Sequence, residues 1–140
     1  VVVGAAFVLG PASWPPPVLY GPFISREPGV AQTANAIDQA FPSSVRGIAL
    51  DYYDANTVQG LGDLDIVMAN YIIQVNWGKE ARGLGGQVAR AQAYFPSMTV
   101  VGFAPNLAPN SPRARAWARQ GLPIYYNQSS LLNAIGQNGP

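Results

Sequence analysis

The sequence predicts a mixed α/β domain, in which helices pack on a mixed β-sheet. Runs rich in β-branched and aromatic residues alternate with stretches whose apolar residues recur every three or four positions. Clusters of Gly, Pro, Asn and Ser separate these segments. The expected order is helix, three strands, helix, strand, helix, strand, helix (α-β-β-β-α-β-α-β-α). At 140 residues and 49% hydrophobic, the chain suffices for one domain with its own core.

The first 22 residues form an apolar, proline-rich segment or linker, and we expect a single domain over residues 23–140. The apolar run 1–10 is shorter than the ~20 residues that span a bilayer, so no stable membrane insertion is expected. A hydrophobic strand, a remnant of an upstream region and a membrane-penetrating role are the alternatives for this run. Residues 14–17, Trp-Pro-Pro-Pro, indicate a stiff connector at the domain edge.

The first predicted helix has Ser25 as its cap and Pro28 in its first turn, and it ends at Pro42. Its buried face is predicted to hold Val30, Ala34, Ile37 and Phe41. A strand follows over residues 45–53.

Later elements follow from the same signals. A helix is expected over about residues 81–94, weakened at its start by three glycines. Residues 98–103 and 122–126 predict short strands. Ser111 is expected to cap the helix between these strands, and Ser129 to cap a final helix that ends at Ile135.

Two alternating stretches around Ala69-Asn70 predict a hairpin of two half-buried strands. A two-residue turn there fixes the register by counting. One face then pairs apolar residues: Met68 with Tyr71, Ile66 with Ile73, and Leu64 with Val75. The other face places Asp65 opposite Gln74, and Asp63 opposite Asn76, at the ~5 Å spacing of paired Cβ atoms. Because a stable sheet needs no such polar cluster, it is interpreted as a site.

Composition narrows the chemistry of that site. The chain has no Cys and no His, which excludes thiolate, Ser–His–Asp and His-ligated zinc chemistry. Up to residue 76 there are two Arg against six acids, whereas later there are six bases and only Glu80. This asymmetry suits a polyanion held beside a cation, although a solvated helix surface explains the basic half equally well.

Carboxylates on a sheet favour a hard divalent cation such as Mg²⁺, which prefers oxygen ligands. The candidate metal ligands are Asp65, Gln74 and Asp63. Each also has a structural explanation: Asp65 can hydrogen-bond to Gln74, Asp63 can be a turn residue, and Gln74 with Asn76 can be a cross-strand polar pair.

Residues 65–67, Asp-Ile-Val before a tight turn, are followed by Ile-Ile-x-Val-x-Trp-Gly-Lys over 72–79. This pattern resembles the PD-(D/E)xK nuclease superfamily, and most of all the toxin domains at the C-termini of bacterial polymorphic toxins. The resemblance covers about residues 24–136. It implies a restriction-endonuclease-like core in which Asp65 is the motif aspartate, while Gln74 and Asn76 replace the motif's Glu and Lys. It also suggests Glu27 as a helix-borne acid and Gln87 as a substrate contact.

The same resemblance implies an endonuclease toxin that depends on Mg²⁺ or Mn²⁺, with DNA preferred to RNA as substrate. It further implies a cognate immunity protein as partner, and a secreted or delivered effector that acts in the target-cell cytoplasm.

The two amides depart from the motif and remove charges that metal binding and hydroxide stabilisation use, so the chain as written is expected to be inactive. Three explanations compete: deliberate inactivating substitutions, a natural pseudo-nuclease, or a lysine role taken over by Lys79. We favour the first. The third has the poorest geometry, because Lys79 has the opposite strand parity to Asn76.

Further residues carry two interpretations each. Glu27 is either a metal-assisting acid or an ordinary first-turn acid. The basic helix can contact phosphates or simply face solvent, through Arg113, Arg115 and Arg119. Trp77 is interpreted as core or edge packing. At the level of function, a non-catalytic module that binds nucleic acid or protein is the main alternative, and a self-assembling structural subunit is the third.

Overall fold

The computed structural model describes residues 6–8 and 14–140. A six-stranded sheet forms its centre, with strand order β1-β2-β3-β4-β5-β6. The strands are β1 (Ala6–Val8), β2 (Val45–Asp54), β3 (Gly60–Met68), β4 (Tyr71–Val75), β5 (Thr99–Phe103) and β6 (Ile124–Tyr125). The helices are α1 (Pro28–Ala40), α2 (Leu84–Tyr94), α3 (Pro112–Arg119) and α4 (Gln128–Asn138).

The sheet is mixed, which confirms the predicted mixed α/β class. Strands β1 to β4 are antiparallel neighbours, whereas β5 and β6 run parallel to β4. Parallel neighbours require crossover connections, and α2 and α3 supply them. From α1 onward the elements succeed one another as helix, three strands, helix, strand, helix, strand, helix.

Two apolar clusters cover the two faces of the sheet. One cluster joins the sheet to α1 and α4, through residues such as Ile37 and Ile135, and the other joins it to α2 and α3, through Val88 and Trp117. Strand β4 is buried along its whole length. The expectation of a half-buried hairpin is therefore wrong for β4, because helices cover both of its faces.

The predicted register of the β3–β4 hairpin is confirmed where the ladder forms: Ile66 pairs with Ile73, and Val67 with Ile72. One side chain departs from the predicted apolar face. Leu64 packs with α2, whereas Ile66 packs with α1. The alternation changes phase between these residues because the side chain of Asp65 lies against β4 and hydrogen-bonds to its main chain.

Strand β2 shows a matching change of phase at Ala49, which has a left-handed φ of 51°. Its neighbours pack on opposite faces, Ile48 with the α1 cluster and Leu50 with the α2 cluster. A left-handed non-glycine residue in a strand is strained. Here it borders the cleft that contains the carboxylates described below.

Helix boundaries correct three predictions. The N-cap of α1 is Glu27, and the Ser25 hydroxyl instead accepts a hydrogen bond from the Glu27 main chain. Helix α2 begins at Leu84 because Gly83 takes a left-handed φ of 81°. Asn127, not Ser129, caps α4 by accepting from the amide of Ser130. The predicted cap of α3 is confirmed, since Ser111 accepts from the amide of Ala114.

The described part of the N-terminal segment contacts the sheet. Strand β1 pairs with β2, and Phe7 stacks on Tyr53 with ring centroids 5.2 Å apart. Trp14 stacks on Phe95 at 5.0 Å. The rest of the apolar run lies outside the described residues. No helix over 6–8 and 14–140 combines the length and apolar character needed to cross a membrane.

Candidate metal centre

Three carboxylates converge where the open end of the β3–β4 hairpin meets the start of α1. Glu27 occupies the N-cap position of α1, while Asp63 and Asp65 lie on β3. One carboxylate oxygen from each of the three lies within 4.8 Å of the others. We call these residues the acidic triad. Their burial is graded: Glu27 is exposed, Asp63 is half-buried and Asp65 is buried.

Asp65 is held in place by hydrogen bonds to β4. Its Oδ2 accepts a hydrogen bond of 2.8 Å from the main-chain N–H of Val75. Its own main-chain N–H donates 2.9 Å to Oε1 of Gln74. At this end of the hairpin, hydrogen bonds between side chains and main chain replace the main-chain pairs of the two strands. They also fix the orientation of the Asp65 carboxylate in the absence of a ligand.

Gln74 uses both ends of its amide on β3. Besides accepting from Asp65, it donates from Nε2 to the main-chain oxygen of Asp63 at 3.0 Å. The side chain is 1% exposed. A glutamate in its ionised form lacks the donor for the second bond. Gln74 therefore connects the two aspartates of the acidic triad through their main chain.

The environment disfavours the charged form of both aspartates. Burial, followed by the charges of Asp63 and Glu27, raises the pKa of Asp65 to about 7, against the hydrogen bond from Val75 that lowers it. Burial and the charge of Asp51 raise the pKa of Asp63. Asp51 is the cross-strand partner of Asp63 on β2. A divalent cation would relieve the electrostatic repulsion among these groups. Without a metal, that repulsion lowers the stability of the folded state.

Asn76, expected opposite Asp63, instead organises the loop after β4. Its Oδ1 accepts from the amide of Gly78 at 2.8 Å, and its Nδ2 donates to the main-chain oxygen of Arg82 at 3.1 Å. A lysine can replace the donor but not the acceptor. The predicted pairing of Asn76 with Asp63 is not observed in these contacts, because the chain leaves β4 at Val75.

Two clefts adjoin at Glu27 of the acidic triad. The metal cleft, of about 520 Å³, is lined by the aspartates together with Glu27, Arg26 and Ala49. The tryptophan cleft, of about 440 Å³, shares Arg26, Glu27 and Val30 with it and adds Asn76, Trp77 and Gln87. Gln87, the predicted substrate contact, therefore lines the same cleft as Glu27.

The basic candidates lie further along the surface. Lys79 lines a third cleft, which shares Asn76 with the tryptophan cleft. Arg113 lines a fourth cleft, which shares Lys79 and Glu80 with the third, and it donates to the main-chain oxygen of Glu80 at 2.6 Å. Arg115 and Arg119 are exposed and line neither cleft around the acidic triad.

Sequence reasoning missed two residues of this site. Arg26 is exposed and lines both clefts beside Glu27. Trp77, interpreted as packing, is 36% exposed and lines the tryptophan cleft. In the sequence, these residues are marked only by their position. Arg26 precedes Glu27, and Trp77 follows the end of β4.

No family model matches the chain, and no curated protein or solved structure matches it either. The functional assignment therefore depends on the geometry of the acidic triad and its clefts.

Proposed function

We propose that the chain is a metal-dependent nuclease whose acidic triad holds Mg²⁺ or Mn²⁺. The observation that carries this proposal is the convergence of Glu27, Asp63 and Asp65 within 4.8 Å of one another in an open cleft. Three carboxylates are a hard, all-oxygen donor set, which fits these cations. Neither His nor Cys exists in the chain to favour a softer metal.

A divalent cation, when bound, supplies an activated water and polarises a phosphoryl oxygen. The protein's residues supply position and charge. The hydrogen bond from Val75 orients the Asp65 carboxylate, and Gln74 fixes the spacing of the two aspartates. Arg26, exposed beside Glu27, offers the guanidinium that contacts the substrate phosphate.

In this proposal the third carboxylate comes from Asp63 rather than from position 74. The amide of Gln74 then serves as a positioning group, and the site needs no glutamate at position 74. The proposal thus replaces the expectation from the motif that the chain as written is inactive. A restriction-endonuclease-like core remains part of the proposal. It is supported by the antiparallel β2–β3–β4 unit, with β5 parallel to β4 and α1 placed beside the acids.

The surface beyond the triad favours a polyanionic substrate. The clefts adjoin one another from the acidic triad, through Asn76, to Lys79, and then to Arg113. A cation site that continues into basic side chains suits a phosphodiester chain laid along them. DNA is proposed in preference to RNA. The toxin role, the immunity partner and action in the target-cell cytoplasm depend on the family resemblance alone.

A second candidate is a pseudo-nuclease that binds without cutting. It is supported by Asn76, which stands where the motif that the chain resembles has lysine, and whose side-chain amide hydrogen-bonds within the loop after β4. Lys79 lines the third cleft and neither cleft at the acidic triad. Its ammonium group would have to move along the surface to take the lysine role. This candidate predicts metal or nucleic-acid binding without hydrolysis.

Incubation with plasmid DNA, single-stranded DNA and total RNA, in Mg²⁺ or Mn²⁺ and with chelator controls, tests the proposal. The chain should cut one substrate, and Asp65→Asn should reduce the rate roughly 100-fold or more. Asp38→Asn is the matched control, because its oxygen can still accept the hydrogen bond from Ser43 outside both clefts. Gln74→Glu combined with Asn76→Lys should not be needed for cutting.

Equal cutting by the chain and Asp65→Asn would contradict the proposal. Cutting only by the double variant that combines Gln74→Glu with Asn76→Lys would show that the chain is a disabled nuclease. Metal binding without cutting in any version would favour the second candidate.

A further inference from the structure

We propose that the tryptophan cleft is a nucleobase subsite, in which Trp77 stacks on an unpaired base while the adjoining phosphate lies at the acidic triad. This inference rests on the proposed function and deepens it, because it makes the preferred substrate single-stranded. The two clefts share Arg26 and Glu27, so a base and its neighbouring phosphate can occupy them together.

The indole of Trp77 is held in a defined position. A Cβ added to Gly29 would lie 2.6 Å from Cγ of Trp77, so the ring packs directly on the main chain at the start of α1. Glycine is unfavourable in a helix, and this close approach explains its presence at position 29. The main-chain oxygen of Trp77 accepts a hydrogen bond of 2.7 Å from Nδ2 of Asn106, which anchors the main chain of the residue.

Despite this packing, 36% of Trp77 remains exposed within the cleft. The other two tryptophans differ, since Trp117 is 7% exposed in the core and Trp14 stacks on Phe95. A rigid, partly exposed indole that lines a cleft gives a base a stacking surface at little cost in conformational entropy.

Polar groups for the edge of a base lie in the same cleft. Gln87 projects from α2 and is exposed, and among the described residues its side-chain amide takes part in no hydrogen bond. An amide with a free donor and a free acceptor can pair with a base edge. Arg26, at the junction of the two clefts, is placed to contact the phosphate between base and metal.

Fluorescence titration with a short oligo(dT), and with the same strand in a duplex, tests this inference. Chelator is present, so binding is measured without metal and without cutting. Trp77→Leu keeps an apolar side chain but no stacking surface, whereas Trp77→Phe keeps a ring. Oligo(dT) should quench the wild-type emission. By competition, Trp77→Leu should bind roughly tenfold more weakly than Trp77→Phe.

A purely structural role for Trp77 predicts that the Leu and Phe variants bind alike, and that result would overturn the inference. Equal affinity for duplex and single strand would overturn it as well. Gly29→Ala provides a second variant, since it displaces the indole without changing its chemistry, and it should weaken oligo(dT) binding. A separate calorimetric titration without chelator measures Mn²⁺ binding to the acidic triad. Failure of Mn²⁺ to bind there, with the stacking signal intact, would reject the metal site and leave the base subsite standing.

Discussion

Near its turn, the β3–β4 hairpin is held by main-chain pairing of apolar residues, Ile66 with Ile73 and Val67 with Ile72. At its open end the side chains of Asp65 and Gln74 replace that pairing. The first arrangement buries hydrocarbon on both faces. The second keeps a carboxylate buried beside other acids, which opposes folding and favours a cation. One hairpin thus combines a stabilising half with a functional half.

Truncation at the turn end should produce the largest loss of stability. Ile73 is fully buried against the α1 face, and Ile73→Ala should lower the free energy of unfolding by about 2–5 kcal/mol, by lost burial and a cavity. Ile73→Val is the matched control and should cost about 0.5–1.5 kcal/mol. Urea denaturation measures both. Unchanged stability in Ile73→Ala, together with lost Mn²⁺ affinity, would contradict the proposal that the turn end stabilises the fold and the open end binds the metal.

The open end should make stability fall as pH rises. Burial raises the pKa of Asp65 from 3.8, the ordinary value that an exposed Asp has in an unfolded chain, to about 7 in the folded protein. Between those values the folded state holds a proton that the unfolded state has lost, so stability declines from pH 4 to pH 7 and then levels off. The decline should be on the order of 4 kcal/mol at most, since each pKa unit corresponds to about 1.4 kcal/mol.

Thermal unfolding across that pH range measures this decline. Asp65→Asn should flatten it, because an amide does not titrate, and Mn²⁺ at pH 8 should restore stability to the unmodified chain. The prediction would be contradicted if the stability of the unmodified chain rose from pH 4 to pH 7 and Asp65→Asn removed that rise.

Gln74→Glu should destabilise the open end by about 1–3 kcal/mol at pH 8. The ionised side chain cannot donate to the main-chain oxygen of Asp63, and it adds a buried charge beside Asp65. At pH 5 the loss should be smaller, since a protonated carboxyl can donate. Equal stability of the variant and the parent at both pH values would show that the amide donor contributes nothing.

Asn76→Lys should have the smallest effect, about 1 kcal/mol, because it removes the acceptor for the Gly78 amide in an exposed loop. Hydrogen exchange at the Gly78 amide should become faster. Asn76→Asp keeps that acceptor and should leave the exchange rate close to that of the parent. Faster exchange in both variants would assign the effect to the donor toward Arg82 instead.

Local pattern sufficed for the hairpin register, because alternation and a two-residue turn leave few ways to pair the strands. It failed at Leu64, since the phase change depends on how Asp65 bonds across to β4. It also failed for the first helix cap, because Pro28 begins the helix and leaves Glu27 at the N-cap position, where its side chain makes no capping hydrogen bond.

Asp63 and Asp65 were predictable as candidates, since residues two apart on a strand lie on the same face of the sheet. Glu27 was suggested only by the family resemblance, because an acid in the first turn of a helix is common. Their convergence to within 4.8 Å was not predictable, because it requires α1 to pack beside the open end of the hairpin. The same holds for Arg26 and Trp77. Both line a cleft that exists only once the start of α1 and the end of β4 are adjacent.

Titration of Mn²⁺ into the chain at pH 8, followed by calorimetry, tests the central claim most directly. The acidic triad predicts one saturable site, which Asp65→Asn should abolish and Asp38→Asn should leave intact. Equal Mn²⁺ affinity in the parent and in Asp65→Asn would show that Glu27, Asp63 and Asp65 do not form the metal site.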